Sequence, residues 1–277
     1  MARRKKKKTK SRIRYLLTLL LACALYFGYE PLANIIQPAP AKVEALPADV
    51  LLPAPMEGTP EKILVRQGYT VSYNREHNLP NWVAWELTPE KLVERESRTD
   101  KFLPDPDLPE AEAVTTDDYK RSGWDRGHMC PAGDNRWHWR AMQESFYMTN
   151  ICPQNHNLNR GDWKELEEAC REWAQREGKI YIVCGPILYR QRHKTIGREH
   201  RITVPEAFFK VVLCPTSNPP RAIGFIYKNT SGNHPLDHYV NSVDQVERIT
   251  GIDFFPALPD EVEKKVEAEY DLGLWKR

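Results

Sequence analysis

Residues 124–167 read WDRGHMCPAGDNRWHWRAMQESFYMTNICPQNHNLNRGDWKELE, and no other stretch constrains the chain as tightly. Asp125-Arg126-Gly127-His128 sets a cation, a flexible residue and an imidazole side by side. A second motif, NICPQ at 150–154, follows a short apolar run. Asn159 then opens a helical pattern that carries Glu167 about two turns on. Trp163, Leu166, Cys170 and Trp173 keep helical spacing with a charged opposite face, which predicts one helix over 159–175.

These residue types suit one chemistry. Hydrolysing a phosphodiester needs a base for water, neutralisation of the phosphate and help for the leaving oxygen. His128 can be the base, because imidazole titrates near neutrality. Arg126 can neutralise phosphate oxygens. Asn159 offers one neutral oxygen ligand, which suits Mg²⁺, an ion that keeps much of its own water. Glu167, on the same helical face, could hold a water of that ion. Each residue also has an ordinary reading: Asn159 as an N-cap, Glu167 as a solvated charge, His128 as a loop histidine.

Charge points the same way. Nine of the 40 Lys and Arg lie in residues 1–14 without a single acid, leaving 31 basic against 38 acidic residues, a net of −7. A nucleic-acid site on such a body must be a local basic groove. Between residues 120 and 164 there are seven basic and four acidic residues, a local excess of +3.

The basic start leads into an apolar, uncharged run at 15–29. It is short of the roughly 20 residues that span a bilayer comfortably, yet the pairing reads as a signal anchor or a signal peptide. Cleavage near Ala22-Cys23-Ala24 or lipidation at Cys23 are the alternatives to an uncleaved anchor. Positive charge stays on the cytoplasmic side, so the bulk of the chain is expected to be exported and tethered to a membrane through residues 1–30. Seven prolines fall between residues 31 and 60, which reads as an extended linker over 31–61. The folded domain is expected at 62–277.

Within it, 63–73 reads as a strand or hairpin, and 82–87, 146–149, 179–184, 208–214 and 222–227 as strands. Short helices are expected at 137–145, 236–249 and 259–270, and a basic loop at 189–201. The order suggests an α+β domain on a central antiparallel-rich sheet. Beyond Cys23, five cysteines without a CxxC pair argue against structural zinc. They leave one disulfide or buried free thiols open.

The ordered motifs resemble the DNA/RNA non-specific endonuclease family, the ββα-metal nucleases that include endonuclease G. DRGH at 125–128, NICPQ at 150–154, Asn159 and Glu167 carry the likeness, which extends over residues 62–256. The resemblance implies His128 as general base and Asn159 as the direct protein ligand of Mg²⁺, with Mn²⁺ as the alternative ion. It implies that Glu167 orients a water of the ion, that Arg126 supports transition-state charge and that Asn150 helps hold the site. Arg98 falls where the family carries a phosphate-contacting arginine, with Arg95 as its rival. The expected substrates are DNA and RNA, cut to leave 5′-phosphate ends, and a homodimer is the expected assembly. A catalytically silent nucleic-acid-binding protein of the same fold is the alternative.

Overall fold

In the computed structural model, which describes residues 51–276, the chain begins with three strands: β1 (Lys62–Val65), β2 (Thr70–Asn74) and β3 (Leu79–Leu87). After a long irregular stretch comes β4 (Asp125–His128), then α1 (Trp139–Ser145) and β5 (Ile151–Gln154). Next are α2 (His156–Arg160), α3 (Asp162–Glu177) and β6 (Ile180–Ile187). A small ribbon, β7 (Thr195–Ile196) and β8 (Ile202–Thr203), precedes β9 (Ala207–Cys214), β10 (Arg221–Lys228) and β11 (Val240–Asn241). Two helices follow, α4 (Val243–Thr250) and α5 (Asp260–Ala268). Seven strands form one sheet in the order β1-β2-β3-β6-β9-β10-β11, every neighbouring pair antiparallel.

The central strands are apolar almost throughout because both faces of the sheet are covered. Successive side chains point to opposite faces, and β9 divides accordingly. Phe208, Val212 and Cys214 join a core that includes Trp163, Leu166, Cys170 and Trp173 of α3. Phe209, Val211 and Leu213 join a second core with Val243 and Val246 of α4 and Val266 of α5. Lys210 falls on the α3 side by the same alternation. Its ammonium is buried 4.5 Å from the Trp163 ring centroid and 5.2 Å from that of Trp85, with no hydrogen-bond partner among the described residues.

β4 and β5 pair apart from the main sheet, in a register that sets His128 opposite Ile151 and Gly127 opposite Cys152. This ribbon and the helices after it carry the motifs.

Several expectations change. The single helix over 159–175 is two helices, because Asn155 starts its own helical turn and Gly161 ends it. The Asn155 side chain accepts from the backbone N–H groups of Asn157 and Leu158, a cap that belongs to α2. At Gly161 the backbone turns back so closely that a Cβ would lie 2.7 Å from the carbonyl oxygen of Asn157. The strand expected at 146–149 is instead a 3-10 turn, Met148–Asn150, leading into β5. The packed body reaches back past the boundary expected at residue 62. Leu51, Leu52 and Met56 lie against the second core, and the Ala54 N–H donates to the Asp253 carbonyl at 2.9 Å. The expected signal anchor at 1–30 lies outside the described residues, among which no helix is long and apolar enough to cross a membrane. The five described cysteines are all buried free thiols. Cys130, two residues after His128, is fully buried and packs rather than facing the cleft.

The ribbon pairing is a tight constraint next to the motif histidine. A Cβ at Gly127 would stand 2.1 Å from Gln154 Oε1 and 2.6 Å from its Cβ. Gln154 is itself fully buried and has nowhere to retreat. We expect Gly127→Ala to destabilise the fold by about 1–3 kcal/mol, the usual cost of overpacking. The check is a lowered denaturant midpoint at unchanged m-value.

Candidate active site

A cleft of about 740 Å³ opens where β4, α2 and α3 meet. His128, Arg126, Asn159, Glu167 and Arg98 all line it. Asn159 and Glu167 reach it from two different helices, not from one helical face as expected. Arg95 is not among the lining residues; its backbone N–H is bonded to the Arg136 carbonyl. Asn150 does not line the cleft either. It is fully buried, and its amide is occupied with backbone: the oxygen accepts from Cys130 N–H, and the nitrogen donates to the Cys130 and Ser145 carbonyls. Its place is therefore behind the site, where it fixes the chain as it leaves β4.

His128 is held from several sides. Its ring lies edge-to-face with Phe146, centroids 4.8 Å apart, and 5.3 Å from Phe102. Its carbonyl accepts from Trp163 Nε1 at 3.4 Å. Nε2 is buried without a hydrogen-bond partner among the described residues. Burial, then the nearby Arg98 and Arg126 charges, push the imidazole down to about 3, so the ring is neutral at physiological pH. The Arg126 guanidinium stacks 4.2 Å over the Phe102 ring, and that of Arg98 lies 5.9 Å from the Phe146 ring. Both arginines are exposed, each resting against an aromatic wall.

Asp125 is the member of the DRGH motif to which the sequence reading gave no role. Its carboxylate accepts from Asn159 Nδ2 at 2.9 Å and lies 3.1 Å from His156 Nδ1. Asn159 Oδ1 is thereby left without a hydrogen-bond partner among the described residues. Asp125, Asn159 and Glu167 together offer hard oxygen donors, the kind that suits Mg²⁺ or Mn²⁺. Among the described residues the cleft brings no three His, Cys, Asp or Glu ligand atoms within 4.8 Å of one another. An ion held by Asn159 must keep much of its own water, as Mg²⁺ does, and the residues fit such an ion.

Glu167 is half-buried, and burial pushes its carboxyl up to about 7. Lys210 pulls it back most, Asp134 raises it, and Arg171 and Arg98 lower it. These groups run from the cleft wall, at Glu167, Arg171 and Arg98, to Lys210 and Asp134 buried behind it. Arg171 pairs with Asp134 at 3.0 Å, and Trp85 Nε1 donates to the other Asp134 oxygen at 3.0 Å. Sequence reasoning missed Arg171, although it stands one helical turn after Glu167; Lys120, Arg160 and Lys164, counted there only within the local basic excess, also line the cleft.

A cleft that sets a neutral imidazole, an oxygen ligand and a wall of cations around one space belongs to an enzyme class that works on phosphate esters. A model of the DNA/RNA non-specific endonuclease family matches residues 52–261, and the chain belongs to that family. A relative from Danio rerio, "Nuclease EXOG, mitochondrial", is 37% identical over 73% of this chain, which spans 64% of that protein's length. A protein from Nostoc sp. (strain PCC 7120), named "Nuclease", is 32% identical over 90% of the chain and 95% of its own length. A chain from the EndoG/EndoGI complex superposes with a TM-score of 0.66 at 27% identity, covering 73% of this chain and 89% of that one.

The network predicts a titration. Replacing Lys210 with Met removes the cation that most favours ionised Glu167, so the Glu167 midpoint should rise above about 7. Carbon NMR of the side-chain carboxyl reads it, and an unchanged midpoint would count against the network.

Proposed function

We propose that this chain is a metal-dependent, sugar-non-specific endonuclease that hydrolyses phosphodiester bonds in DNA and RNA, leaving 5′-phosphate ends. The observation that carries the reading is the convergence of His128, Arg126, Arg98, Asn159 and Glu167 on one cation-walled cleft. In this reading Asn159 Oδ1 holds Mg²⁺, steadied by Asp125. The bound ion supplies charge neutralisation at the phosphate and at the leaving oxygen. His128, neutral in the free cleft, takes the proton from the attacking water. The incoming phosphate offsets the Arg98 and Arg126 charges that depress the imidazole, which makes the ring a stronger base when substrate is present. Ionised Glu167 accepts hydrogen bonds from water and orients it. Asn150 acts as a positioning residue through the backbone of Cys130.

A polymer substrate suits the surroundings better than a small ester. Trp124 is shared with a depression lined by Arg190, Lys194 and Lys228, with Glu206 as its one acid. Phosphate contacts of this kind carry no sequence information, which supports non-specific cutting. The basic flank and apolar run at the N-terminus support export of the domain, with a membrane tether.

The full chain with Mg²⁺ should nick plasmid and cut linear DNA and RNA, and EDTA should stop all three. His128→Ala should lower kcat/KM by about 10²–10⁴-fold, the usual worth of a positioned base. Asn159→Ala should raise the Mg²⁺ concentration needed. Rising salt should weaken substrate binding with a slope of roughly 0.7–0.9 per phosphate contacted. Intact substrates after incubation with folded wild-type protein and Mg²⁺ would sink the proposal and leave the silent binding protein.

A further inference from the structure

The face of the sheet opposite the cleft carries a different kind of site. Asp244 and Glu247 stand three residues apart on α4, so they share one helical face. Glu267 of α5 comes up against them. One carboxylate oxygen from each of the three lies within 4.8 Å of the other two. Glu267 is only 6% exposed, and its Oε1 is buried with no hydrogen-bond partner among the described residues. Glu263 and Asp253 are also near enough to repel it. Among the described residues none of these five carboxylates pairs with a Lys, Arg or His. Glu247 is the exception in hydrogen bonding, since one of its oxygens accepts from Phe254 N–H at 2.8 Å and is thereby aimed.

An unpaired carboxylate buried among like charges is costly unless something positive sits with it. We propose that Asp244, Glu247 and Glu267 form a structural Ca²⁺ site that ties α4 to α5, separate from the cleft. The donor chemistry selects the ion. Hard carboxylate oxygens suit Ca²⁺ and Mg²⁺, not soft metals. Three carboxylates supply the high ligand charge that Ca²⁺ takes, and its flexible shell of six to eight oxygens at about 2.3–2.6 Å accepts side chains that are not set at the corners of an octahedron. Mg²⁺, with bonds of about 2.0–2.1 Å, demands a tighter octahedron. Val246 and Val266, on the same two helices, pack into the core beneath the sheet. Clamping these helices would therefore stabilise that whole face.

The test uses the full chain, stripped with EDTA and dialysed, then titrated with CaCl₂ by calorimetry and thermal unfolding. Three proteins are compared: wild type, Glu267→Gln and Asn159→Ala. At a hundredfold excess over Kd, Ca²⁺ should raise the wild-type Tm by about 5–10 °C. Asn159→Ala should keep that rise, because it leaves the carboxylates intact. Glu267→Gln, which holds its shape but loses the charge, should fold without Ca²⁺ and bind it at least tenfold more weakly. A rise that survives in Glu267→Gln, or that disappears in Asn159→Ala, would overturn the assignment. So would a wild-type Tm that responds to acidification but not to Ca²⁺, since the buried carboxyl would then be holding a proton in place of a cation.

Discussion

The close pairing of β4 and β5 at Gly127 is the constraint on which the cleft depends. With no side chain at 127, the ribbon can close onto Gln154. That closure fixes the backbone on either side. On one side Asp125 is brought to the Asn159 amide. On the other, His128 is turned in between Phe102 and Phe146, with its carbonyl met by Trp163 of α3. The Asn150 amide then holds the chain where it leaves the strand. One steric requirement thus sets the proposed base, the proposed ligand and the helix carrying Glu167 in mutual register.

Burial acts on the two titratable groups of the cleft in opposite directions. It makes the charged form of His128 unfavourable, and the arginines add to that effect. It makes the charged form of Glu167 unfavourable too, but here Lys210, Arg171 and Arg98 resist it. Burial, with the arginines adding to it, therefore keeps the imidazole unprotonated, while the cations hold the carboxyl close to ionisation near neutral pH. This is the pair of states that the proposed chemistry uses. Lys210 matters most among them because it is itself buried, where charge is poorly screened. Among the described residues its support comes from two indole faces and the acids around it.

What could be read from the sequence follows from where each signal is local. DRGH, Asn159 and Glu167 are recognisable because their spacing is fixed by a short ribbon and the helices after it. The amphipathic pattern found α3 correctly, since Trp163, Leu166, Cys170 and Trp173 all lie within it. It could not show the break at Gly161, where the decisive contact is with a carbonyl four residues earlier. Asn150 was expected to help hold the site, but the sequence could not show that it does so as a buried amide clamp on the backbone of Cys130 and Ser145. The Pro-rich stretch hid Leu51 and Leu52, whose burial depends on a face built near the C-terminus. Lys210 stands amid FFKVV, where alternation places it inside, but its partners Trp85 and Glu167 come from distant segments.

The separation of charge between the two faces of the sheet gives an acidic folded body a basic front. Excluding residues 1–14 the chain carries a net of −7, yet Lys120, Arg126, Arg160, Lys164 and Arg171 crowd the cleft. Part of the compensating acid lies behind the sheet, on α4, α5 and the turn between them. A polyanion approaching at moderate ionic strength feels mainly the charges within a Debye length of about 8–10 Å. It therefore meets the cationic front with little opposition from the carboxylates on the far side of the sheet. The fold thus lets an acidic body present a local field of opposite sign. It does so because the sheet is covered on both faces, by α3 on one and by α4 and α5 on the other.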